Sequence, residues 1–487
     1  MKITGMKCAG CRKKNCTGCH MAGKFDNDKD KSLMFPGRFI PDEGKGYGIA
    51  VDLGTTTIAG LLWDLGKKEQ MAAEVCINPG RFAGSDVISR ISYVLEKDEN
   101  RIKMQGVLAE KLDETARKLV ERVQEMTEGS STEDVLCDGN RYLGSEKLQK
   151  VVVVGNTVMC EMMLGLSVDG LATAPFHKAY QGAVHKKGHE LGCIFLADTD
   201  IAILPAIEGY AGADALAVAV YVKWLDERRN VFAVDIGTNG EILLQTEGQT
   251  YVCTAAAGPA LEGAAVSQGM GAVEGAIEEV KLVGSFPSED IFCNVIGEAA
   301  PKGICGSGLV DALAVLKRLG VVDENGYMRS RSEARKAGVR EQFCRRITSK
   351  PGENAFLLTD EEHPVYLTAK DVRQLQLAKG AIRAGIEILM RKAGLRKEEI
   401  AHFYLAGAFG SYIKIESAVE IGLLPDIERK KLSHIGNCAG TGAVMTLLSR
   451  AFEKEMERHA EEILHVELAK ESEFEECFLS AMAIKKL

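Results

Sequence analysis

Short apolar runs, helical periods and glycine-rich turns alternate along the chain from Tyr47 onward. Tyr47-Gly-Ile-Ala-Val-Asp52 reads as a buried strand, Leu53-Gly-Thr-Thr-Thr57 as a turn and Ile58 to Trp63 as a second strand, so the three predict a hairpin. Helical periods follow around Asp86–Leu95 and Val107–Thr127, and Val151 to Val154 is a buried strand running into Gly155-Asn-Thr157. A long helix is expected over Gly212–Leu225. Its core, Ala213 to Val222, is apolar apart from Asp214, which predicts burial.

The opening pattern then returns. Asn230-Val-Phe-Ala-Val-Asp235-Ile-Gly-Thr-Asn-Gly240-Glu-Ile-Leu-Leu244 is again strand, turn and strand, with Asp235 standing 183 residues after Asp52. A repeat of that size predicts two similar halves rather than a solenoid. The second half carries expected helices at Ile304–Leu319, Thr368–Lys392 and Ala443–Ala460, and a strand at His402–Leu405. Thr368 and Asp371 have capping-box spacing. Ile463 to Leu487 is mixed and is expected to pack back on the second half. Before Tyr47, residues 1–24 are rich in Cys, Lys and Gly, and residues 25–46 are polar with Pro36-Gly37 and Gly44-Lys-Gly46, the composition of a linker. The expected division is therefore a Cys-rich segment (1–24), a linker (25–46), a first half (47–228) and a second half with a C-terminal extension (229–487).

Composition narrows the function classes. The chain has 487 residues, 46% apolar and 26% charged, enough for large cores. Its formal charge is −9 and no dense Lys/Arg stripe offsets it, which argues against nucleic acid as a partner. No apolar run approaches the roughly 18 residues of a membrane span. Cysteines and lysines stand where a signal peptide would have its apolar core, so the cytoplasm is expected. The fourteen cysteines then read as thiols or metal ligands rather than disulfides.

The two hairpins carry the candidate chemistry. The glycine of Asp-Leu-Gly-Thr-Thr-Thr permits a tight turn, and successive turn amides form an anion-binding nest. Threonine hydroxyls add donors for phosphate oxygens. An aspartate at the strand end repels phosphate directly but can hold a hydrated Mg²⁺ against it. One such loop is equally a plain β-hairpin; two copies, each after a buried strand and each in its own half, predict a cleft that grips phosphates from both sides. The candidates are Asp52, Gly54, Thr55, Thr56 and Thr57 in the first hairpin, and Asp235, Gly237, Thr238, Asn239, Gly240 and Glu241 in the second. No Gly-x-x-x-x-Gly-Lys-Ser/Thr loop is present.

This arrangement resembles the actin, sugar-kinase and heat-shock-chaperone ATPases. Residues 50–57 are similar to their first phosphate motif and 233–241 to their second. Leu405-Ala-Gly407-Ala408-Phe409-Gly410-Ser is similar to their adenosine motif. Pro205 to Asp214 and Gly436 to Gly442 sit where their two connecting helices belong. The resemblance implies an α/β fold of duplicated actin-like ATPase (ribonuclease H-like) halves around a nucleotide cleft that takes ATP with Mg²⁺. Asn78-Pro with Gly84 to Ile91, Gly155 to Met159, Ala257-Gly-Pro-Ala-Leu-Glu-Gly263, Gly303 to Leu309 and Leu377 to Ile382 narrow it to the reductive activators of corrinoid proteins. That family implies an ATPase that passes electrons to a cobalamin-dependent methyl-transfer protein and returns Co(II) to Co(I). It also implies a low-potential donor such as ferredoxin, and a homodimer. Asp52, Asp235 and Glu241 then carry catalysis, Glu241 by orienting water or by supporting its loop.

Cys8-x₂-Cys11-x₄-Cys16-x₂-Cys19 places four thiols in twelve residues. Spacing alone leaves a zinc knuckle and an iron–sulfur cluster both open. The family resemblance favours the cluster. Relatives carry a longer ferredoxin-like domain with a 2Fe-2S centre; this segment is shorter and departs from the C-x₄-C-x₂-C pattern, which suits 4Fe-4S better. Cys160, Cys253, Cys305 and Cys438 lie in apolar contexts and read as core. Two alternatives stand beside this reading. One is an activator of another low-potential enzyme such as a 2-hydroxyacyl-CoA dehydratase-like system, and the other is a zinc-stapled ATPase or kinase without redox work.

Overall fold

The alternation that predicts the first hairpin is realised as β1 (Tyr47–Leu53) and β2 (Thr57–Asp64), paired antiparallel with Asp52 opposite Ala59. A computed structural model describes residues 33–128, 148–285, 288–350 and 353–486. β3 (Glu69–Ile77) extends the meander, and β4 (Leu148–Gly155), β6 (Asp200–Ile203) and β5 (Val184–Lys187) complete a six-stranded sheet in the order β3-β2-β1-β4-β6-β5. In the second half β7 (Val231–Ile236), β8 (Gly240–Gln245) and β9 (Thr250–Ala255) repeat the meander. Two three-stranded sheets follow, one of β10 (Ala276–Val283), β11 (Asp290–Val295) and β12 (Gly303–Ile304), the other of β13 (Ile347–Lys350), β14 (Glu353–Leu357) and β15 (Tyr366–Thr368). β16 (His402–Ala406), β17 (Leu432–Gly436) and β18 (Leu464–His465) close the second main sheet, β17-β16-β7-β8-β9-β18. The run β3-β2-β1-β4-β6 is thus matched strand for strand by β9-β8-β7-β16-β17, and the sequence repeat is a repeat of topology.

Helix α1 (Val87–Leu95) packs on α2 (Asp98–Glu128), which lies on β2 and β3 of the first sheet. Asp86 caps α1, its carboxylate accepting the Ser89 N–H at 2.9 Å. The period expected from Val107 begins nine residues earlier, because Asp98 and Glu99 start the helix where its dipole favours acids. Between the sheets lie α3 (Ala213–Leu225) and α6 (Cys438–Leu448); α4 (Gly306–Arg318) and α5 (Ala369–Lys392) belong to the second half. Every α3 residue from Ala213 to Val222 except Asp214 is buried. Thr368 and Asp371 form the expected capping box at the start of α5.

Two expected helices are redrawn. Gly303–Ile304 is a short strand, and α4 starts at Gly306. The helix expected over Ala443–Ala460 is two: α6, and α7 (Arg450–Glu462), broken at Ser449, whose extended backbone ends one and caps the other. α6 begins at Cys438 although Gly440 and Gly442 look like turn residues. Gly442 faces α3, where a Cβ would meet the Cβ of Ala217 at 2.7 Å, so glycine permits the two helices to touch. The C-terminal stretch packs on the second half as expected, through β18 on β9 and α8 (Phe474–Ala481) on α5. Residues 33–46, which read as linker, lie against the body: Phe35 packs on Trp63, and Phe39 on Trp224 and Phe452. Among the described residues no helix is long and apolar enough to cross a membrane.

Candidate functional site

The two hairpin turns face each other across a cavity of about 240 Å³ between the halves. Asp52, Gly54, Thr55, Thr56 and Thr57 line it from one side, and Asp235, Gly237, Thr238, Asn239 and Glu241 from the other, with Gly407 at the edge. The hairpins touch: Thr56 Oγ1 lies 3.3 Å from Thr238 Oγ1, and Thr238 donates onward to Glu262 Oε2 at 3.0 Å. The first turn is braced by the buried Asn78, which donates from Nδ2 to Gly54 O at 2.7 Å and from its backbone to Thr56 O at 2.9 Å. In the second turn Gly237 N–H bonds Asn239 O at 2.9 Å.

The remaining candidates stand apart from the lining. Gly240 opens β8 and packs toward Ile382. Gly407 to Gly410 form one helical turn after β16. Among the described side chains of that turn Gly407 lines the cavity; the side chains of Ala408 and Phe409 lie outside the described residues, as do Cys8, Cys11, Cys16 and Cys19. Cys160, Cys253, Cys305 and Cys438 are buried, and none lines the cavity.

Four polar lining residues are not among the sequence candidates: Asn156, Asp214, Glu262 and Asn437. Each stands inside a glycine-rich segment singled out for other reasons. Asn156 caps the helix after β4 and Asn437 caps α6, so both read locally as helix starts.

The electrostatics of the cleft are one-signed. No Lys, Arg or His lines it among the described residues. Burial, then repulsion from Asp214 and Asp235, pushes the Asp52 carboxyl up to about 8. Burial and then Asp214 raise Asp235 to about 7, and burial raises Asp214. Glu241 is pushed well up by burial and then by Asp214, Asp235 and Asp52. Such a cleft admits polyphosphate only together with a cation. No three acidic, His or Cys side chains converge tightly enough to chelate a metal directly among the described residues. The donor set instead fits a hydrated divalent ion shared with phosphate oxygens, the usual habit of Mg²⁺.

Models of one family account for nearly all of the chain from Tyr47 onward. The model for the C-terminal domain of RACo, the ASKHA domain, matches residues 229–487, and the RACo middle region matches 47–143 and 134–227. The chain belongs to the RACo family. Corrinoid activation enzyme RamQ of Eubacterium limosum is 32% identical over 453 residues, covering 91% of this chain and 71% of the relative. A reductase of Methanosarcina barkeri, named for a Co(II) methylated amine-specific corrinoid protein, is 26% identical over 422 residues, with 80% and 68% covered. The solved structure of a reductive activator for corrinoid, iron-sulfur protein superposes with a TM-score of 0.75 at 30% identity, over 90% of this chain and 66% of that one. The chain thus spans about two thirds of the length of these relatives. The ASKHA match agrees with the duplicated α/β halves and their shared cleft.

Gly407 gives a direct test of how a RACo-type cleft holds its acids. Its φ is +83°, and a Cβ there would stand 2.0 Å from Asp235 Oδ1. Gly407→Ala must both strain the backbone and displace the carboxylate, so MgATP affinity is expected to fall at least about tenfold. Titration calorimetry decides it: unchanged affinity would show that this contact does not set the position of Asp235.

Proposed function

We infer that this chain is an ATP-dependent reductive activator of a corrinoid methyl-transfer protein, returning its cobalt from Co(II) to Co(I) with one electron. The reading is carried by the two threonine-bearing hairpins that meet over a buried acidic cleft, in a chain of the RACo family.

Asp52 and Asp235, at the ends of equivalent strands, would hold the hydrated Mg²⁺ of MgATP from opposite sides. Thr55, Thr56, Thr57, Thr238 and Asn239 offer hydroxyl, amide and backbone donors to the phosphates. Glu241, opposite Asp235 in the β7–β8 ladder, would orient the attacking water or support its loop. The turn at Gly407 to Gly410 would meet the adenosine. ATP biases the complex only by binding its closed and open forms unequally, and a cleft built from both halves supplies that difference.

Cys8, Cys11, Cys16 and Cys19 are the thiolate set for an iron–sulfur cluster, 4Fe-4S on spacing, which when bound supplies a one-electron carrier. Segment 1–24 is then the redox unit and residues 47–487 the ATPase. A low-potential cytoplasmic donor such as ferredoxin refills it, and the activator works as a homodimer.

The test is anaerobic reduction of a Co(II) corrinoid protein, followed by its visible spectrum with and without MgATP. A larger extent of Co(I) formation with MgATP is expected; equal rates and extents would refute the coupling.

A further inference from the structure

Residues 33–46 are tied to both helices that run between the sheets, at the ends remote from the cleft. Arg38 donates from Nε to Trp224 O at 2.9 Å, donates from Nη2 to Lys223 O, and pairs with Glu227. The two carbonyls belong to the last turn of α3, where the helix dipole favours a cation. The guanidinium also lies 5.2 Å from the centre of the Trp224 ring. Asp42 serves α6 and α7. Its backbone N–H bonds Leu448 O at 2.8 Å, and its Oδ2 accepts the Arg450 N–H at 2.7 Å.

The opposite ends of the same helices lie in the cleft. Asp214 in the first turn of α3 and Ala439 in the first turn of α6 line it, and Asn437 caps α6 there. At about 1.5 Å per residue the helices carry those ends roughly 15–20 Å from the contacts of Arg38 and Asp42. They touch at Gly442 and Ala217, small residues that make a smooth crossing. Packed helices of this kind shift as bodies when a cleft closes. Anything that reseats Asp214 or Asn437 therefore moves carbonyls that Arg38 and Asp42 hold.

We propose that Arg38 and Asp42 are positioning residues that couple MgATP in the cleft to the placement of the N-terminal cysteine segment. The proposal rests on the reductive-activator reading, since the segment that begins the described chain at Leu33 follows Cys19 by 14 residues. Two helices from one cleft end on one strap, so closure is read at two anchors and delivered to a single stretch of chain.

The test uses the full chain with its cluster and a Co(II) corrinoid protein. In Arg38→Ala/Asp42→Ala, MgATP affinity and ATP hydrolysis should stay at wild-type values. The ratio of Co(II) reduction rates with and without MgATP should fall at least about tenfold, the scale of losing these helix-end hydrogen bonds. Arg38→Lys keeps the charge but not the planar fork and should recover part of the ratio. An unchanged ratio overturns the proposal, as does a parallel loss of affinity, hydrolysis and melting temperature, which marks a structural strap. Amide hydrogen exchange at Phe39 and Asp42 of the wild type needs no client. Protection there should change on adding MgATP, and identical exchange overturns the proposal. Changed exchange in a wild type that shows no ATP-stimulated cobalt reduction would instead retain the coupling and discard the client.

Discussion

Asp52→Asn is expected to lower MgATP hydrolysis at least about a hundredfold, the scale of removing one preorganised charge contact from an active site, while making the nucleotide-free protein more stable. The two effects share a cause. Asp52 sits at the buried end of β1 with Asp214 and Asp235 for neighbours and no cation lining the cleft among the described residues. In the proposed function, that charge is what the ion of MgATP would need. Without it, the charge is a cost of folding. The carboxyl is raised from an ordinary 3.8 to about 8, so no penalty exists below pH 4, where folded and unfolded chains both carry the proton. Between pH 4 and 8 the unfolded chain releases its proton first, and native stability falls as pH rises. Above pH 8 the full penalty is present. Asparagine removes it, and about 2 kcal/mol is expected, the scale of a buried polar group left without compensation. Thermal melts of both proteins at pH 4.5 and pH 8.5 check the sign. The variant should gain little at the lower pH and most at the higher. A variant that melts lower at pH 8.5, or hydrolyses ATP at the wild-type rate, would place the cation elsewhere.

Cys11→Ala has the largest expected effect on electron transfer. One of four thiolates in a twelve-residue span is lost, and three cannot complete a four-thiolate cluster. Iron and sulfide content and the visible charge-transfer bands should disappear, and Co(II) reduction should fall to the level without activator. ATP hydrolysis should persist, because the two hairpins proposed to hold the phosphates, and their acids, lie within residues 52–262 and involve no cysteine. The contrast with Asp52→Asn separates the two functions. One variant retains a reducible centre and loses hydrolysis, and the other does the reverse. A wild type that binds one zinc, contains no iron after reconstitution and still supports cobalt reduction would remove the cysteine segment from the electron path.

Much of the architecture was legible because it is local. Strand, tight turn and strand are written in two apolar runs around glycine and threonine, and the return of that pattern at Asp235 foretold the repeated meander. Ala213 to Val222, apolar apart from Asp214, foretold a buried helix, and Thr368 with Asp371 fixed the start of α5, since burial and capping depend on the residues of the helix itself. Helix boundaries were less legible. Ser449 breaks α6 from α7 through its backbone conformation, and nothing in its neighbours' periodicity marks that. The helix expected from Ala443 starts at Cys438, and its Gly442 lies in close contact with Ala217.

The site divides along the same line. The sequence by itself determined the two hairpins and marked them as candidate phosphate binders, because a turn's donors and its flanking aspartate are neighbours along the chain. It could not determine that Asp214 and Glu262 join them. Asp214 looks like an ordinary first-turn acid of a buried helix, and Glu262 like part of a glycine-bounded turn. Only the packing of α3 between the two sheets carries Asp214 into the cleft, and only the approach of the halves lets Thr238 bridge Thr56 and Glu262. Local chemistry marked the candidate phosphate-binding groups; the long-range meeting of the halves decided which acids share their charge.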